Sequence, residues 1–410
     1  MQESYSESMS GFKALLSHLK RMPGLDCRVH TLKENYNLTA EQYGRCVAMV
    51  ERIQHLYDDA PAYADRKGLD RAVALPGNEW ATIVPSAGLK FRMTYNDINY
   101  LRLSAPFIGY HLLILDRLDR PRFPQAGDAE FAAKLVREGI PDGIADILDR
   151  RMNINERLAG FVAEQEKYVR NVPARYVVAA PRMFGEFGVE VGGVVVNADT
   201  LMCQSRINGL LASGVLDKLQ SDIARRGRAR VLEVGPGYGA LACALKSIFK
   251  DQIEYIVVDI PSSLYHSALY LNGIFDGEGC HLLEPDQKVP EQFNFLFVAN
   301  YLVDEFAGAL GPIDLAMNTM SFPEMSEGQV RFYAETFRRL LRPDGVVFDE
   351  NGVFLAHHVD SDAILASLFP YRKKVSSVLA IDRNWQNVWS TRYISEIHDR
   401  SDAALSRLRQ

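Results

Sequence analysis

A glycine-rich stretch near the middle of the chain has the residue types and spacing of a nucleoside-binding turn. It reads Val231-Leu-Glu-Val-Gly-Pro-Gly-Tyr-Gly-Ala240 and joins a strand pattern to a helical one. Glycines let the backbone of such a turn approach a ligand closely, and N–H groups at the start of the helix can bind its polar atoms. Twenty residues beyond Gly239, a second predicted strand ends at Asp259, whose carboxylate can accept both hydroxyls of a ribose. We therefore predict a nucleoside-cofactor site at the carboxyl edge of a parallel sheet.

The residues around the turn favour S-adenosylmethionine as the nucleoside. Glu233 lies two residues before the first glycine, where it can approach a cationic methionine portion but would repel a pyrophosphate. The complete pattern is Glu-x-Gly-x-Gly-x-Gly, with its glycines at Gly235, Gly237 and Gly239. Because Gly235-x-Gly237-x-x-Ala240 also satisfies the dinucleotide fingerprint, a nicotinamide dinucleotide and a purely structural turn stay open as alternatives.

From Arg230 onward, strand patterns alternate with helical ones, which is typical of a parallel sheet with crossover helices. The predicted strands lie at 231–234, 255–258, 295–298, 315–318, 345–348, 375–381 and 388–394. The last two are spaced as a hairpin, whereas a dinucleotide domain would continue with parallel units. The predicted fold is therefore α/β, with a Rossmann-like, seven-stranded, mostly parallel sheet and a C-terminal antiparallel hairpin.

The residues before the sheet read mainly as helices. Apolar residues recur at helical spacing from Tyr43 to Tyr57, behind Thr39 and Gln42 at the spacing of a capping box. Further helices are predicted at 128–138, 154–168 and 204–219, with a hairpin at 185–196. We predict a mainly helical domain over 1–183. Its expected role is to cover the cofactor site, to select the molecule that reacts there, or to pair two copies of the chain. A cofactor-binding domain is predicted over 184–410.

Composition excludes several classes of protein. The chain has 410 residues, of which 47% are hydrophobic and 24% charged, and its net charge is −6. An acidic balance disfavours nucleic-acid binding by phosphate neutralisation. The five cysteines form no C-x-x-C pair, so neither a disulfide framework nor a thiolate metal site is predicted. The polar N-terminus and the short apolar runs indicate neither a secretory signal nor a membrane span. We expect a cytoplasmic protein with a small-molecule partner, without nucleic-acid or membrane partners and without a metal.

Residues from about 184 to 351 resemble the sugar O-methyltransferase family within the class I S-adenosylmethionine-dependent methyltransferases. The matching segments are 231–239, Val258-Asp-Ile-Pro-Ser-Ser-Leu-Tyr265, Tyr270-Leu271, Asp314-Leu-Ala-Met-Asn-Thr-Met-Ser-Phe-Pro-Glu-Met325 and Asn351. The segment after Asn318 departs from the usual form at Thr319-Met320 and at Pro323. The resemblance covers a little under half of the chain.

This resemblance implies a class I methyltransferase fold, S-adenosylmethionine as cofactor, and O-methylation of a sugar or similar hydroxylated intermediate. Methylation of nitrogen or oxygen on a non-sugar intermediate stays open. So does a cofactor-binding scaffold that transfers no methyl group.

Methyl transfer to a hydroxyl requires the enzyme mainly to position the acceptor and remove its proton. The base should project from the loops after the fourth and fifth strands. His357 and His358 follow the fifth strand, and histidine has the pKa for proton abstraction near neutrality. Glu324 ends the loop after the fourth strand and is the alternative, ahead of Asp304 and Glu305. Each of these candidate bases has a competing interpretation, in which it is an ordinary polar residue at the end of a strand or helix.

Fold geometry suggests three further cofactor contacts. Asn318 could orient the methionyl amine through its side-chain carbonyl, Asn300 could approach the adenine edge, and Arg206 could pair with the methionyl carboxylate. Turn-forming asparagines and a surface ion pair are the competing interpretations. The complete predicted cofactor set is Glu233, Gly235, Gly237, Gly239, Asp259, Ile260, Asn300, Asn318 and Arg206.

Overall fold

The computed structural model describes seven stretches of the chain. They are residues 27–30, 34–76, 93–103, 165–186, 188–352, 359–375 and 384–400. The chain divides into two compact units, Met1–Asn37 with Asn99–Gln204 and Leu38–Ile98 with Ser205–Gln410. Residues 38–98 thus belong to the same unit as the residues after 205, whereas the domain division at 183/184, which stays a prediction, would separate them.

The first unit contains a three-stranded antiparallel sheet. Its strands are β1 (Cys27–His30), β2 (Gly188–Val191) and β3 (Val194–Val196), in the order β1-β2-β3. The hairpin predicted at 185–196 is present, because Gly192 and Gly193 both adopt the positive φ that a two-residue turn requires. Arg102 is fully buried in this unit and pairs with Glu186 and Asp199.

An eight-stranded sheet forms the core of the second unit. Its strands are β4 (Ala229–Val234), β5 (Ile253–Asp259), β6 (Cys280–Leu282), β7 (Phe295–Ala299), β8 (Ile313–Thr319), β9 (Leu341–Gly352), β10 (Tyr371–Val375) and β11 (Asn384–Ser390). The strand order is β10-β11-β9-β8-β4-β5-β7-β6. All neighbouring pairs are parallel except those of β11, which runs antiparallel to β9 and β10.

The sheet agrees with the predicted fold class and has one strand more than predicted. The additional strand is β6, which lies at the edge of the sheet. Its three residues are too few to show a period in the sequence. Strands β10 and β11 begin four residues before the predicted ones. The order reverses at β4, which has β5 on one side and β8 on the other. In open parallel sheets a ligand crevice forms at such a switch point, outside the carboxyl ends of the strands.

Eleven helices are bounded within the described stretches. They are α1 (Ala40–Lys67), α2 (Arg71–Ala74), α3 (Tyr95–Asn99), α4 (Ala198–Ser213), α5 (Val215–Arg226), α6 (Ala240–Phe249), α7 (Pro261–Ile274), α8 (Val303–Leu310), α9 (Glu327–Leu340), α10 (Ser361–Leu368) and α11 (Ser395–His398). Short 3₁₀ turns occur at Leu101–Leu103, Ala174–Tyr176, Lys250–Gln252, Asn300–Leu302 and Phe322–Glu324. The helix predicted at 128–138 and most of the one at 154–168 lie outside the described residues.

Helix α1 confirms the predicted amphipathic helix and its start. The hydroxyl of Thr39 accepts the N–H of Gln42, and the Gln42 side chain accepts the N–H of Thr39. The Gln42 amide also donates to the carbonyl of Gly273 at 3.1 Å, which joins the start of α1 to the end of α7. The helix predicted at 204–219 is wrong as one continuous element. It breaks at Gly214, whose φ is +90° and where a Cβ would lie 2.9 Å from the carbonyl of Glu396.

A buried carboxyl group on β9 contacts side chains of β11. Asp349 accepts the indole N–H of Trp389 and faces the amides of Asn351 and Asn387. Burial raises the pKa of Asp349 to about 7, and the charge of Asp362 adds to this effect. Hydrogen bonds from Trp389, Asn351 and Asn387 oppose the rise without cancelling it.

We expect the Asp349 carboxyl to make stability fall as pH rises from about 4 to about 7. Its pKa in the folded protein exceeds the unfolded value of about 3.9, so the folded state binds a proton that the unfolded state has lost. The free energy of unfolding should decrease by at most about 1.4 kcal/mol per pH unit in this window. Urea unfolding followed by tryptophan fluorescence should show a steeper slope in wild type than in Asp349→Asn. Part of the slope stays in the variant, because burial also raises the pKa values of Glu233 and Asp259. The exposed control Glu335→Gln should keep the wild-type slope, and an unchanged slope in Asp349→Asn would contradict the assignment.

Candidate cofactor and active site

The glycine-rich turn connects β4 to α6 at the switch point of the sheet. Gly235, Gly237 and Gly239 have φ values of +68°, +61° and +95°, a region that residues with a Cβ rarely adopt. The N–H of Gly235 donates to the carbonyl of Val258 at 2.9 Å. A Cβ on Gly235 would lie 2.3 Å from the hydroxyl oxygen of Ser321. The turn is therefore packed between the end of β5 and the loop after β8.

Glu233 provides a buried carboxyl group directly before this turn. It is 1% exposed, and its Oε2 accepts the hydroxyl of Tyr255 at 2.6 Å. Oε1 has no hydrogen-bond partner among the described residues. Burial raises the pKa of Glu233 to about 7, although the Tyr255 hydroxyl, the charge of Arg206 and the nearby Thr319 hydroxyl oppose this rise. The free carboxylate oxygen fits a cationic donor and would repel a phosphate.

Arg206 lies close to carboxyl groups from two strands. Its Nε is 3.5 Å from Oε1 of Glu350 on β9, and its charge lowers the pKa of Glu233 on β4. The amide of Gln386 donates to the other oxygen of Glu350 at 2.6 Å. Sequence reasoning missed Tyr255, Glu350 and Gln386. Their proximity to the site follows from strand register, and no motif in the sequence marked them.

Asp259 ends β5 beside the glycine turn. Its register partner on β7 is Ala299, and Val258 before it pairs with Val234. The Asp259 Oδ1 accepts the N–H of Ile260, the residue that caps α7, at 2.8 Å. Burial raises the pKa of Asp259 to about 8, and the charges of Glu324 and Glu233 add to the rise. The structure thus brings Glu233, the turn and Asp259 to the carboxyl ends of adjacent strands.

Asn318 and Asn300, which were predicted to contact the cofactor, both form hydrogen bonds within the protein. Asn318 is fully buried, its amide donates to the carbonyl of Val234 at 3.0 Å, and its oxygen accepts the N–H of Phe322 at 3.1 Å. Asn318 therefore positions the loop after β8 against the end of β4. The amide of Asn300 donates to the carbonyls of Val73 and Ala74 at 3.3 and 3.0 Å. Direct contacts of either residue with a cofactor stay predictions.

The candidate bases are placed unequally. His357 and His358 lie outside the described residues, which end at 352 and resume at 359. Glu324 ends the 3₁₀ turn that follows the carboxyl end of β8, and its charge raises the pKa of Asp259.

The third pair of candidate bases has structural partners. Asp304 pairs with Arg339 of α9, and Glu305 accepts the hydroxyl of Tyr63 and lies 3.2 Å from the ammonium group of Lys67. These contacts join α8 to α9 and to α1.

The described residues offer neither a metal site nor a membrane span. No group of three or more His, Cys, Asp or Glu side chains there could hold a metal ion. No helix in the described stretches is long and apolar enough to cross a membrane.

The order of the large sheet, with antiparallel β11 inserted between β9 and β10, completes the fold assignment. The fold is that of a class I methyltransferase. Strand β4 carries the glycine turn at its carboxyl end, β5 carries the acidic residue, and β11 is the inserted antiparallel strand of this methyltransferase fold.

Comparisons with known proteins give distant matches that cover part of the chain. No family model and no curated protein match it. Among solved structures, fibrillarin of Aeropyrum pernix with bound S-adenosylmethionine is 13% identical over 39% of this chain and 65% of its own, with a TM-score of 0.29. This match spans just under two thirds of fibrillarin. A TehB-like methyltransferase of Corynebacterium glutamicum is 12% identical over 44% of this chain and 88% of its own, with a TM-score of 0.29. Human methyltransferase-like protein 13 with SAH is 16% identical over 51% of this chain and 92% of its own, with a TM-score of 0.31.

Proposed function

We propose that the chain is an S-adenosylmethionine-dependent methyltransferase that methylates a hydroxyl of a sugar or similar small molecule. The observation that carries this proposal is the glycine turn at the switch point, flanked by the buried carboxyl of Glu233 and by Asp259. A turn of three positive-φ glycines admits a ligand close to the backbone. The buried acid beside it selects a cation, which disfavours a dinucleotide pyrophosphate.

The residues at this edge fit each part of the proposed cofactor. Glu233 has a carboxylate oxygen without a hydrogen-bond partner in the described structure, which suits the methionyl ammonium group. Arg206 supplies a positive charge beside it for the methionyl carboxylate. Asp259 can accept the two ribose hydroxyls, and a carboxylate is the acceptor that binds such donors most strongly. When bound, S-adenosylmethionine supplies an electrophilic methyl group and a neutral thioether leaving group.

The chain itself must position the acceptor and take its proton. Strands β8 and β9 both lie on one side of β4 in the sheet. Glu324 follows β8, and His357 and His358 follow β9 along the chain. The acceptor is therefore expected on that side of β4. One of these side chains accepts the hydroxyl proton as the oxygen attacks the methyl carbon. The resemblance of residues 314–325 to the sugar O-methyltransferase family supports a hydroxyl on a sugar-like acceptor.

A screen of candidate acceptors with S-adenosylmethionine tests the proposed function. Sugars and other polyhydroxylated compounds should give a product heavier by one CH₂ group in mass spectrometry, with S-adenosylhomocysteine formed in equal amount. Matched amino compounds without a free hydroxyl should give no such product. The Asp259→Ala variant serves as the control for contaminating activity. Binding of the cofactor without product formation on any acceptor would instead indicate a scaffold.

A further inference from the structure

A short segment of the N-terminal half lies against the carboxyl edge of the large sheet. We call residues 70–76 the strap. It contains α2 and follows a chain reversal at Gly68, which ends α1 in the left-handed conformation with φ of +67°. Asp70 caps α2 by accepting the N–H of Ala72 at 2.9 Å. Arg71 and Ala72 are exposed, whereas Ala74 is buried. The strap therefore has a solvent side and a packed side.

Two amide side chains, one from the turn after β7 and one from α9, bind the packed side of the strap. The carbonyls at the end of a helix have no partners within it, and α2 is only four residues long. Asn300 donates to the carbonyls of Val73 and Ala74, and the Gln329 amide donates to the carbonyl of Leu75 at 3.1 Å. Three successive strap carbonyls are thus bound by side chains from α9 and from the turn after β7.

These two amides border the expected nucleoside position. Asn300 follows Ala299, the register partner of Asp259. Gln329 lies one helical turn before Tyr333 on α9, so both side chains share a face. Burial raises the pKa of the Tyr333 hydroxyl, the charge of Asp259 raises it further, and a hydrogen bond with the Asn300 side chain lowers it. Asn300, Gln329 and Asp259 therefore belong to one corner of the sheet edge.

We propose that the strap forms the adenine-side wall of the cofactor site, and that Asn300 and Gln329 control the residence time of the nucleoside by holding the strap carbonyls. This inference rests on the proposed function, because it assumes that a nucleoside binds at Asp259. It assigns to Asn300 a role in positioning the strap. Weakening the hold on the strap should speed cofactor release and leave the remaining contacts of the cofactor in place.

The test uses Gln329→Glu in the 410-residue chain and surface plasmon resonance with S-adenosylhomocysteine. In wild type, the Gln329 oxygen completes the capping box of α9 with Ser326 while its amide holds Leu75. Glutamate keeps the cap acceptor and removes the donor to the strap. S-adenosylhomocysteine carries no net charge, so the added carboxylate exerts little direct attraction on it. We expect dissociation to become roughly 3- to 10-fold faster, as for one lost hydrogen bond.

Gln42→Glu is the matched control, because Gln42 also combines a capping box with an amide-to-carbonyl bond, at the far end of α7 from Asp259. It should leave the dissociation rate unchanged. Equal rates for Gln329→Glu and wild type, or equal acceleration in both variants, would overturn the role of the strap. A wild-type chain that fails to bind S-adenosylhomocysteine would overturn the proposed function itself.

Hydrogen exchange of the wild-type chain provides an independent measurement. Exchange of amides in the strap should slow when S-adenosylhomocysteine binds, while exchange at the start of α1 should not change. Binding without protection of the strap would exclude it as a wall of the site.

Discussion

Removal of the base that takes the acceptor proton should lower kcat by roughly 10²–10⁴. We expect this loss in His357→Ala or His358→Ala, measured as initial rates at saturating cofactor and acceptor. The Kd of S-adenosylmethionine should stay nearly constant, because the base faces the acceptor. The wild-type rate should also fall below the pKa of the histidine, about 6.5 in the absence of perturbation.

Glu324→Gln distinguishes the carboxylate from the histidines, because it keeps size and polarity and removes basicity. A large loss of kcat in this variant, with both histidine variants active, would assign the base to Glu324. The substitution also removes a charge that raises the pKa of Asp259, so affinity for the cofactor should not decrease. Full activity in all three variants would show that none of these residues is the base.

Replacement of Asp259 by alanine should weaken the binding of S-adenosylmethionine at least about tenfold. The change removes charge-assisted hydrogen bonds to the ribose, each worth roughly 1.5–3 kcal/mol, and about 1.4 kcal/mol corresponds to a factor of ten. Isothermal titration calorimetry measures the effect, and circular dichroism establishes that the variant is folded. Unchanged affinity in a folded Asp259→Ala protein would exclude the ribose contact.

Gly237→Val should also abolish binding, since valine rarely adopts the φ of +61° found there.

Binding should also depend on pH through the same carboxylate. In the free protein the pKa of Asp259 is raised to about 8, and two hydroxyl donors in the complex would lower it. Binding then releases a proton below pH 8, so Asp259 alone should make affinity rise with pH by at most about tenfold per unit, and its contribution should level off above about pH 8. Glu233, with a pKa raised to about 7, acts in the same direction. Calorimetry in buffers of different ionisation enthalpy detects the proton, and Asp259→Ala should reduce its release.

Local signals in the sequence were sufficient for the elements whose ends depend on neighbouring residues. The capping box at Thr39 defines the start of α1, because a side-chain oxygen and a backbone N–H three residues apart meet at the start of a helix. The turn around Gly237 was predicted because its glycines tolerate the positive φ that the turn requires. The end of β5 was predicted because its apolar run stops at Asp259.

The tertiary structure decided the partners of the site residues. Three contacts show this. The hydroxyl of Tyr255 donates to Glu233, Arg206 pairs with Glu350, and the amide of Asn300 donates to carbonyls of the strap. The joined residues are from 22 to 227 positions apart. Such contacts depend on strand order and register, which one sequence does not encode in any local pattern. The break at Gly214 is similar, because the carbonyl that excludes a side chain there belongs to Glu396. The sequence by itself determined which chemical groups stand at each strand end, and only packing decided which of them face a ligand and which bind the protein.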